Sequence, residues 1–368
     1  MNTQAFEFGL DSFGEVSRDD AGRVLSDAET VRLMIAEAEL AESVGIDAYN
    51  IGEHYRPGHV DSAGQVILAG IAGRTERIRL GTSVTVLSTQ DPVRLYTQFA
   101  TLDAVSNGRA QLIVGRASTT DSFPLFGFDL ANYETLFEEK LDLLMRLFRE
   151  QPVTWSGTVR AALTNQSVQP AIVPDSIPVW VGVGGTPQSV IRAARYRLPL
   201  MLAIIGGSLS RFAPYVELYK RALGQFGHPL LPVGVHSLGL VAGTDAEARA
   251  AYWPEYKAAF EAVSRERGFT PPTARQFDAE VATGALFVGS PETVAAKMAA
   301  NIRLLGLSRF DLKYDIGRLP QAHRAKSIEL YGREVIPQVR ALLAADPVQP
   351  VPSSQRAAAA AAGPHVEQ

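Results

Sequence analysis

Three short stretches of this chain combine residue types that bind an anion and move a proton. Gly108-Arg109-Ala110-Gln111-Leu112-Ile113-Val114-Gly115 reads as a turn and a short buried strand, and Arg116 follows at the strand's end. In a barrel of parallel strands, ligands bind at the mouth formed by the strands' C-terminal ends, so a guanidinium at that point is placed to meet an anion. Pro178-Val179-Trp180-Val181-Gly182-Val183-Gly184-Gly185-Thr186 repeats the plan. Its apolar strand closes in glycines and a hydroxyl just before a helix, where free N–H groups and partial positive charge suit a phosphate. A tight turn with no ligand is the alternative reading, and Arg116 weighs against it. The third stretch, Tyr49-Asn50-Ile51-Gly52-Glu53-His54-Tyr55, ends a strand with an acid, an imidazole and a phenol. Of those three side-chain types, imidazole is the one suited to taking and giving a proton near neutral pH. A histidine merely hydrogen-bonded in a loop is its bland counterpart. Two anion signals on two strand ends point to a phosphorylated cofactor held across a barrel mouth.

The elements that must position these residues follow from periodicity. Apolar strand-like runs alternate with amphipathic helical stretches from end to end, the signature of parallel α/β structure. Strands are expected at 6–12, 48–52, 78–86, 110–116, 179–183, 200–204, 233–242 and 310–313, eight in all, which fits one closed (β/α)8 TIM barrel within a single domain, residues 1–345. Ser26-Asp27-Ala28-Glu29 and Thr244-Asp245-Ala246-Glu247 are capping-box patterns, and Ser290-Pro291-Glu292 sets a cap, a first-turn proline and an acid at a helix start. Two segments exceed a minimal barrel. Residues 151–176 read as a hairpin or loop insertion before the fifth strand, and 264–289, with broken periodicity, as a lid loop or a surface excursion. The Pro-, Ser- and Ala-rich tail, 346–368, is expected to be disordered.

Composition narrows the function classes. The chain has 368 residues, enough for a barrel, and its 46% hydrophobic content supplies a substantial core. A formal net charge of −4 without a basic run argues against nucleic acid as a partner. With no cysteine, thiolate nucleophiles, disulfides and iron–sulfur ligation from this chain are excluded, and no metal site is expected. The first residues lack a basic start and an apolar secretory core, and no segment is apolar long enough to span a bilayer, so a cytoplasmic protein without membrane association is expected.

From Phe6 to about Leu343 the chain resembles the bacterial luciferase-like family of flavin-dependent oxidoreductases. The resemblance rests on ordered motifs: Glu53-His54-Tyr55, Leu80-Gly81-Thr82-Ser83-Val84-Thr85-Val86-Leu87, Asp91-Pro92-Val93-Arg94, Leu102-Asp103-Ala104-Val105-Ser106-Asn107-Gly108-Arg109, and Gly115-Arg116. Val183-Gly184-Gly185-Thr186, Leu198-Pro199-Leu200-Met201-Leu202 and Val288-Gly289-Ser290-Pro291-Glu292-Thr293 follow in the same order. The resemblance implies a barrel that binds reduced FMN, which reacts with O2 to give a flavin peroxide that oxygenates a small organic substrate. It implies His54 as the active-site histidine, and a non-proline cis bond at Ser83–Val84 supporting the flavin ring. Arg116 matches the phosphate-contacting arginine, and the 183–186 loop with Ser189 matches the rest of the phosphate cradle. Gly185 stands where some relatives carry a carboxylate, and Tyr55 where a second histidine is common. Glu53, Tyr55, Phe123 and Phe126 are candidates for the substrate pocket, with simple packing of a long loop as the alternative for the two phenylalanines. The resemblance also implies a homodimer. No GxGxxG follows a first strand, so a separate NAD(P)H:flavin reductase is the implied flavin donor. Two other readings stand beside this one: hydride transfer with the deazaflavin F420 on the same barrel, and a flavin-binding protein without turnover.

Overall fold

Strands buried on both faces read largely as apolar runs, and most barrel strands of this chain do, though Arg309–Lys313 alternates charged with apolar residues. In Val233–Val241 every residue is buried, and in Leu112–Gly115 likewise. The computed structural model describes residues 6–116, 120–268 and 270–345, without the side chains of 266 and 267. The expected tail, 346–368, lies outside the described residues.

The strands are β1 (Glu7–Ser12), β2 (Ala48–Ile51), β3 (Arg79–Thr82), β4 (Thr85–Val86), β5 (Leu112–Gly115), β6 (Val153–Trp155), β7 (Leu163–Gln166), β8 (Val179–Val183), β9 (Leu200–Ala203), β10 (Val233–Val241), β11 (Phe287–Gly289) and β12 (Arg309–Lys313). Parallel pairing runs β3-β2-β1-β12-β10-β9-β8-β5-β4. A parallel bridge between Leu80 and Ala110 joins β3 to the start of the β5 segment and closes the ring. The fold is an α/β TIM barrel with helices between successive barrel strands, β3 and β4 together occupying one position and β6–β7 lying outside the barrel.

The third barrel position, expected as one strand over 78–86, is split. β3 and β4 flank Ser83–Val84, whose peptide bond is cis. Residues 151–176 contain the antiparallel pair β6–β7.

Residues 264–289 differ from the irregular segment expected. The helix Asp245–Arg267 runs into them, a second helix spans Ala274–Thr283, and β11 pairs in parallel with β10. Thr273 and Gln276 form a capping box at that second helix, a pattern broken periodicity hid. Its inner face, Phe277 and Val281, packs with Tyr252, Tyr256 and Leu286 in a satellite core against β10. The ammonium of Lys297 donates to the carbonyls of Glu280, Val281 and Leu286, satisfying the helix's C-terminal end.

Below the mouth the barrel interior is polar. Arg309 donates to Asp311 and to Gln111, and Asn50 donates to Asp11 and Asp311. Glycines make room for this layer. A Cβ at Gly9 would lie 2.2 Å from Asp311 Oδ1, and one at Gly81 would lie 2.5 Å from Asn50 Oδ1.

Candidate active site

The strand ends converge on a cavity of about 490 Å³ at the barrel mouth. Of the residues singled out from sequence, Glu53, His54, Tyr55, Ser83, Val84, Arg116, Val183, Gly184 and Ser189 line it. The Arg116, Val84 and His54 regions therefore face one space.

At one end lies an anion cradle. Arg116 donates to Ser189 Oγ at 3.0 Å, pairs with Glu134, and sits 5.3 Å over the Tyr133 ring. Thr186 Oγ1 donates to Ser189 Oγ at 2.8 Å and is the residue preceding the helix Pro187–Arg195. Thr186 makes no side-chain cap bond to that helix, so the first-turn N–H groups are not consumed by it. Arg192 bonds Glu134 at 2.9 Å and Glu138 at 2.6 Å, and Arg195 pairs with Glu138. Three guanidinium groups against two carboxylates leave one net positive charge at this end. Gly185 is at φ +103°, and a Cβ there would sit 3.3 Å from Phe212, so the turn into the helix requires glycine.

In the middle of the cavity, Val84 is held between two glycines. A Cβ at Gly115 would lie 2.6 Å from Val84 Cγ2, and one at Gly182 would lie 2.7 Å from Val84 Cγ1. Neither glycine has a positive φ, so close approach rather than backbone conformation demands them. Val84 packs against the buried Ile113, Trp180 and Met201. Its neighbour Ser83 donates to Asp11 Oδ2 at 2.8 Å.

The third region centres on His54. Its Nδ1 lies 2.8 Å from Asp61 Oδ2, and its backbone N–H donates to Asp61 Oδ1 at 3.2 Å. Asp61 is fully buried, so the imidazole is held by a carboxylate withdrawn from water. With Nδ1 turned to that carboxylate, Nε2 is the ring nitrogen left to serve the cavity. A Cβ at Gly52 would lie 2.7 Å from Asp61 Oδ2, so glycine leaves the space this carboxylate fills. The neighbouring His59 ring, 4.8 Å from that of His54, is held below the ordinary histidine range by burial and by His54.

Glu53 lines the cavity, yet its oxygens are committed elsewhere. They accept from the Tyr55 hydroxyl at 2.7 Å, Gln90 Nε2 at 2.8 Å and the Val86 N–H at 2.9 Å. Burial pushes its carboxyl above the usual range, and the three donors oppose that shift. Glu53 thus braces β4 and Tyr55, and burial likewise pushes the Tyr55 phenol upward.

Four expected site residues are not part of the cavity wall. Gly185 and Thr186 lie behind it, shaping the turn and the Ser189 hydroxyl. Phe123 is fully buried and stacks 5.6 Å from Tyr133, beneath the ring on which Arg116 rests. Phe126 is 46% exposed and meets Tyr55 edge-on at 4.9 Å. Both expectations followed from aromatic content, which does not say which way a ring turns. Conversely Phe13, Tyr133, Met201, Phe212 and His236 line the cavity without having been singled out, and Asp61 stands directly behind His54. The available signal was polarity inside apolar strands: Asp11 and His236 interrupt runs that are otherwise core, and a buried polar residue is an informative exception.

The pattern of the luciferase-like monooxygenase family matches residues 11–309. Among solved structures, the monooxygenase RslO1 from Streptomyces bottropensis is similar at 24% identity and a TM-score of 0.78, over 90% of this chain and 99% of that one. The oxygenating constituent of 3,6-diketocamphane monooxygenase from Pseudomonas putida, a type II Baeyer–Villiger enzyme solved in complex with FMN, is similar at 22% identity, TM-score 0.73, over 91% and 99%. An F420-dependent glucose-6-phosphate dehydrogenase of Amycolatopsis mediterranei is 28% identical over 42% of this chain and 48% of its own length.

Proposed function

The chain belongs to the luciferase-like monooxygenase family, and we propose that it is a monooxygenase that uses reduced FMN and O2 to oxygenate a small organic substrate. The observation that carries this reading is the convergence, on one cavity, of the Arg116–Ser189 cradle, Val84 seated against Gly115 and Gly182, and the His54–Asp61 pair.

These residues fit a phosphorylated flavin. Arg116, Ser189 and the first-turn amides of the helix Pro187–Arg195 offer a dianion charge-assisted donors and a positive helix end. Glycine at 115 and 182 keeps Val84 seated so that an aromatic ring system would have an apolar support beside it. When bound, reduced FMN supplies the electrons that activate O2, which no side chain of this cavity can supply.

The chain's own tasks are positioning, exclusion of water and proton management. Phe13, Val86, Met201 and Phe212 furnish the apolar part of the lining, where an organic substrate would displace water. Asp61 fixes the imidazole of His54, so Nε2 holds or releases a proton toward the reacting groups. Glu53 keeps β4 in register with the cavity through Val86.

The reduced cofactor comes, in this reading, from a separate NAD(P)H:flavin reductase, and the enzyme works as a cytoplasmic homodimer. Among the described residues no helix is long and apolar enough to cross a membrane. Anaerobic titration with reduced FMN and with reduced F420, followed by admission of oxygen, tests the proposal. Tight binding of reduced FMN with oxygen consumption supports it. Preference for F420 without oxygen uptake would replace it with hydride transfer, and FMN binding without turnover on any organic substrate would leave a flavin-holding protein.

A further inference from the structure

His236 is absent from the mechanism above, although it stands in the same cavity. It lies on β10, in register with Ala203 of β9 and Asp311 of β12, and is only 4% exposed. Its Nδ1 pairs with Asp11 Oδ2. Asp11 is fully buried, and its oxygens also accept from Asn50 Nδ2 at 2.7 Å and Ser83 Oγ at 2.8 Å. The Phe13 ring lies between the two cavity histidines, 4.8 Å from His54 and 5.5 Å from His236, parallel to the latter within 7°. Two imidazoles, each held by its own buried carboxylate, therefore flank one aromatic ring.

Charged groups surround this second pair, and Asn50 Nδ2 links Asp11 to Asp311. From β12, Asp311 is met by Arg309 at 2.9 Å, and Lys313 is met by Glu15 at 2.8 Å and Asp315 at 3.1 Å. Lys313 also lies 4.7 Å over the Phe13 ring. β9, Leu-Met-Leu-Ala, offers no titratable group. From β1 comes Asp11, whose ion-pair contact among the described residues is the His236 ring. Asp311, the register neighbour of His236, is pushed above the usual carboxylate range by burial and by Asp11, against the pull of Arg309, so a proton on His236 is one of two charges by which this wall of the cavity can change.

We propose that His236 and Asp11 form a second proton-holding pair, and that His236 takes up a proton from solvent when the cavity accepts an anionic flavin ring. The inference rests on the flavin reading above and adds a residue to it. Asp11 acts as a positioning residue: one carboxylate orients His236 and anchors Ser83 beside Val84, so charge uptake and the seat of the ring share a support. The protonated ring balances the incoming negative charge in a site shielded from water, where an unbalanced charge is costly.

Calorimetry of the full-length chain with reduced FMN, anaerobically and in buffers of different ionisation enthalpy, counts the protons taken up on binding. Net uptake is expected for the wild type, and His236→Asn, which keeps an amide donor toward Asp11, should lower it by up to one proton. The dependence of reduced-FMN affinity on pH should flatten by up to tenfold per pH unit. Asp11→Asn should lower uptake in the same way and serves if His236→Asn does not fold. Unchanged proton uptake in a folded variant that binds reduced FMN overturns the pair and leaves the flavin reading intact. A wild-type chain that binds no FMN overturns both.

Discussion

Replacing Gly182 with alanine sets a methyl carbon 2.7 Å from Val84 Cγ1, while its next neighbours, Val114 O at 3.6 Å and Ile113 Cγ2 at 3.9 Å, are ordinary contacts. Carbon atoms rest about 3.5–4.0 Å apart, so the shortfall is about 1 Å and falls on Val84 alone. Val84 cannot retreat toward Gly115, because its Cγ2 already occupies the space a side chain would take there. It must therefore move into the cavity. Overpacking of this size costs about 1–3 kcal/mol. Expressed as weaker reduced-FMN binding, that is roughly 5- to 150-fold in Kd. Titration of the apo-protein under anaerobic conditions measures it, with thermal unfolding showing how much of the cost falls on the fold instead. Val84→Ala removes Cγ1, so the double variant Gly182→Ala/Val84→Ala should recover most of the loss attributable to the clash. A Gly182→Ala protein with wild-type affinity and stability would refute the reasoning, as would a double variant no better than the sum of its parts.

Arg116→Gln should weaken FMN by about 10- to 100-fold and riboflavin far less, since a charged hydrogen bond is worth about 1.5–3 kcal/mol; equal losses for both ligands would show that Arg116 does not meet the phosphate. Asp61→Asn releases the constraint on the His54 ring and should lower kcat about 10- to 100-fold with little change in flavin affinity, a part of the about 10²- to 10⁴-fold that a positioned acid–base group contributes. Lys140, which donates to the Ser88 carbonyl and lies over Phe128, is pushed down to about 8 by burial. Because the folded state sheds this proton more readily than the unfolded chain, stability from this group rises as pH climbs from about 8 toward 10.5, and Lys140→Met should flatten that rise in urea unfolding measured across the window. Ser26→Ala removes the capping hydrogen bond to Glu29 N and should destabilise by about 0.5–2 kcal/mol without changing flavin affinity, a control for variants that act on the cavity.

Alternation of apolar strands with amphipathic helices was enough to identify the barrel, because most parallel strands buried on both faces have few polar positions; β12, with Arg309, Asp311 and Lys313 among five residues, is the exception. The eight strand positions, the helix caps at Ser26, Thr244 and Ser290, and the family could all be read from local order in the chain. Short elements escaped. β11 has three residues, too few to show a period, and the helix Ala274–Thr283 begins at a threonine–glutamine cap inside a stretch that looked irregular.

The chemistry of individual residues was legible wherever it depended on residue type at a strand end, as with Arg116 and His54. What tertiary structure alone decided is which groups face one another across the ring of strands. Asp61 reaches His54 from a loop, Asp11 and His236 meet across 225 positions of sequence, and Gly115 and Gly182 flank Val84 from two different strands. Phe123 and Phe126, adjacent in a loop to the eye of composition, part company into core and solvent. The physical reason is that helix and strand formation follow from local periodicity. The partners of a side chain inside a closed barrel are set by register and closure, which bring distant residues within hydrogen-bonding range and carry no local signature.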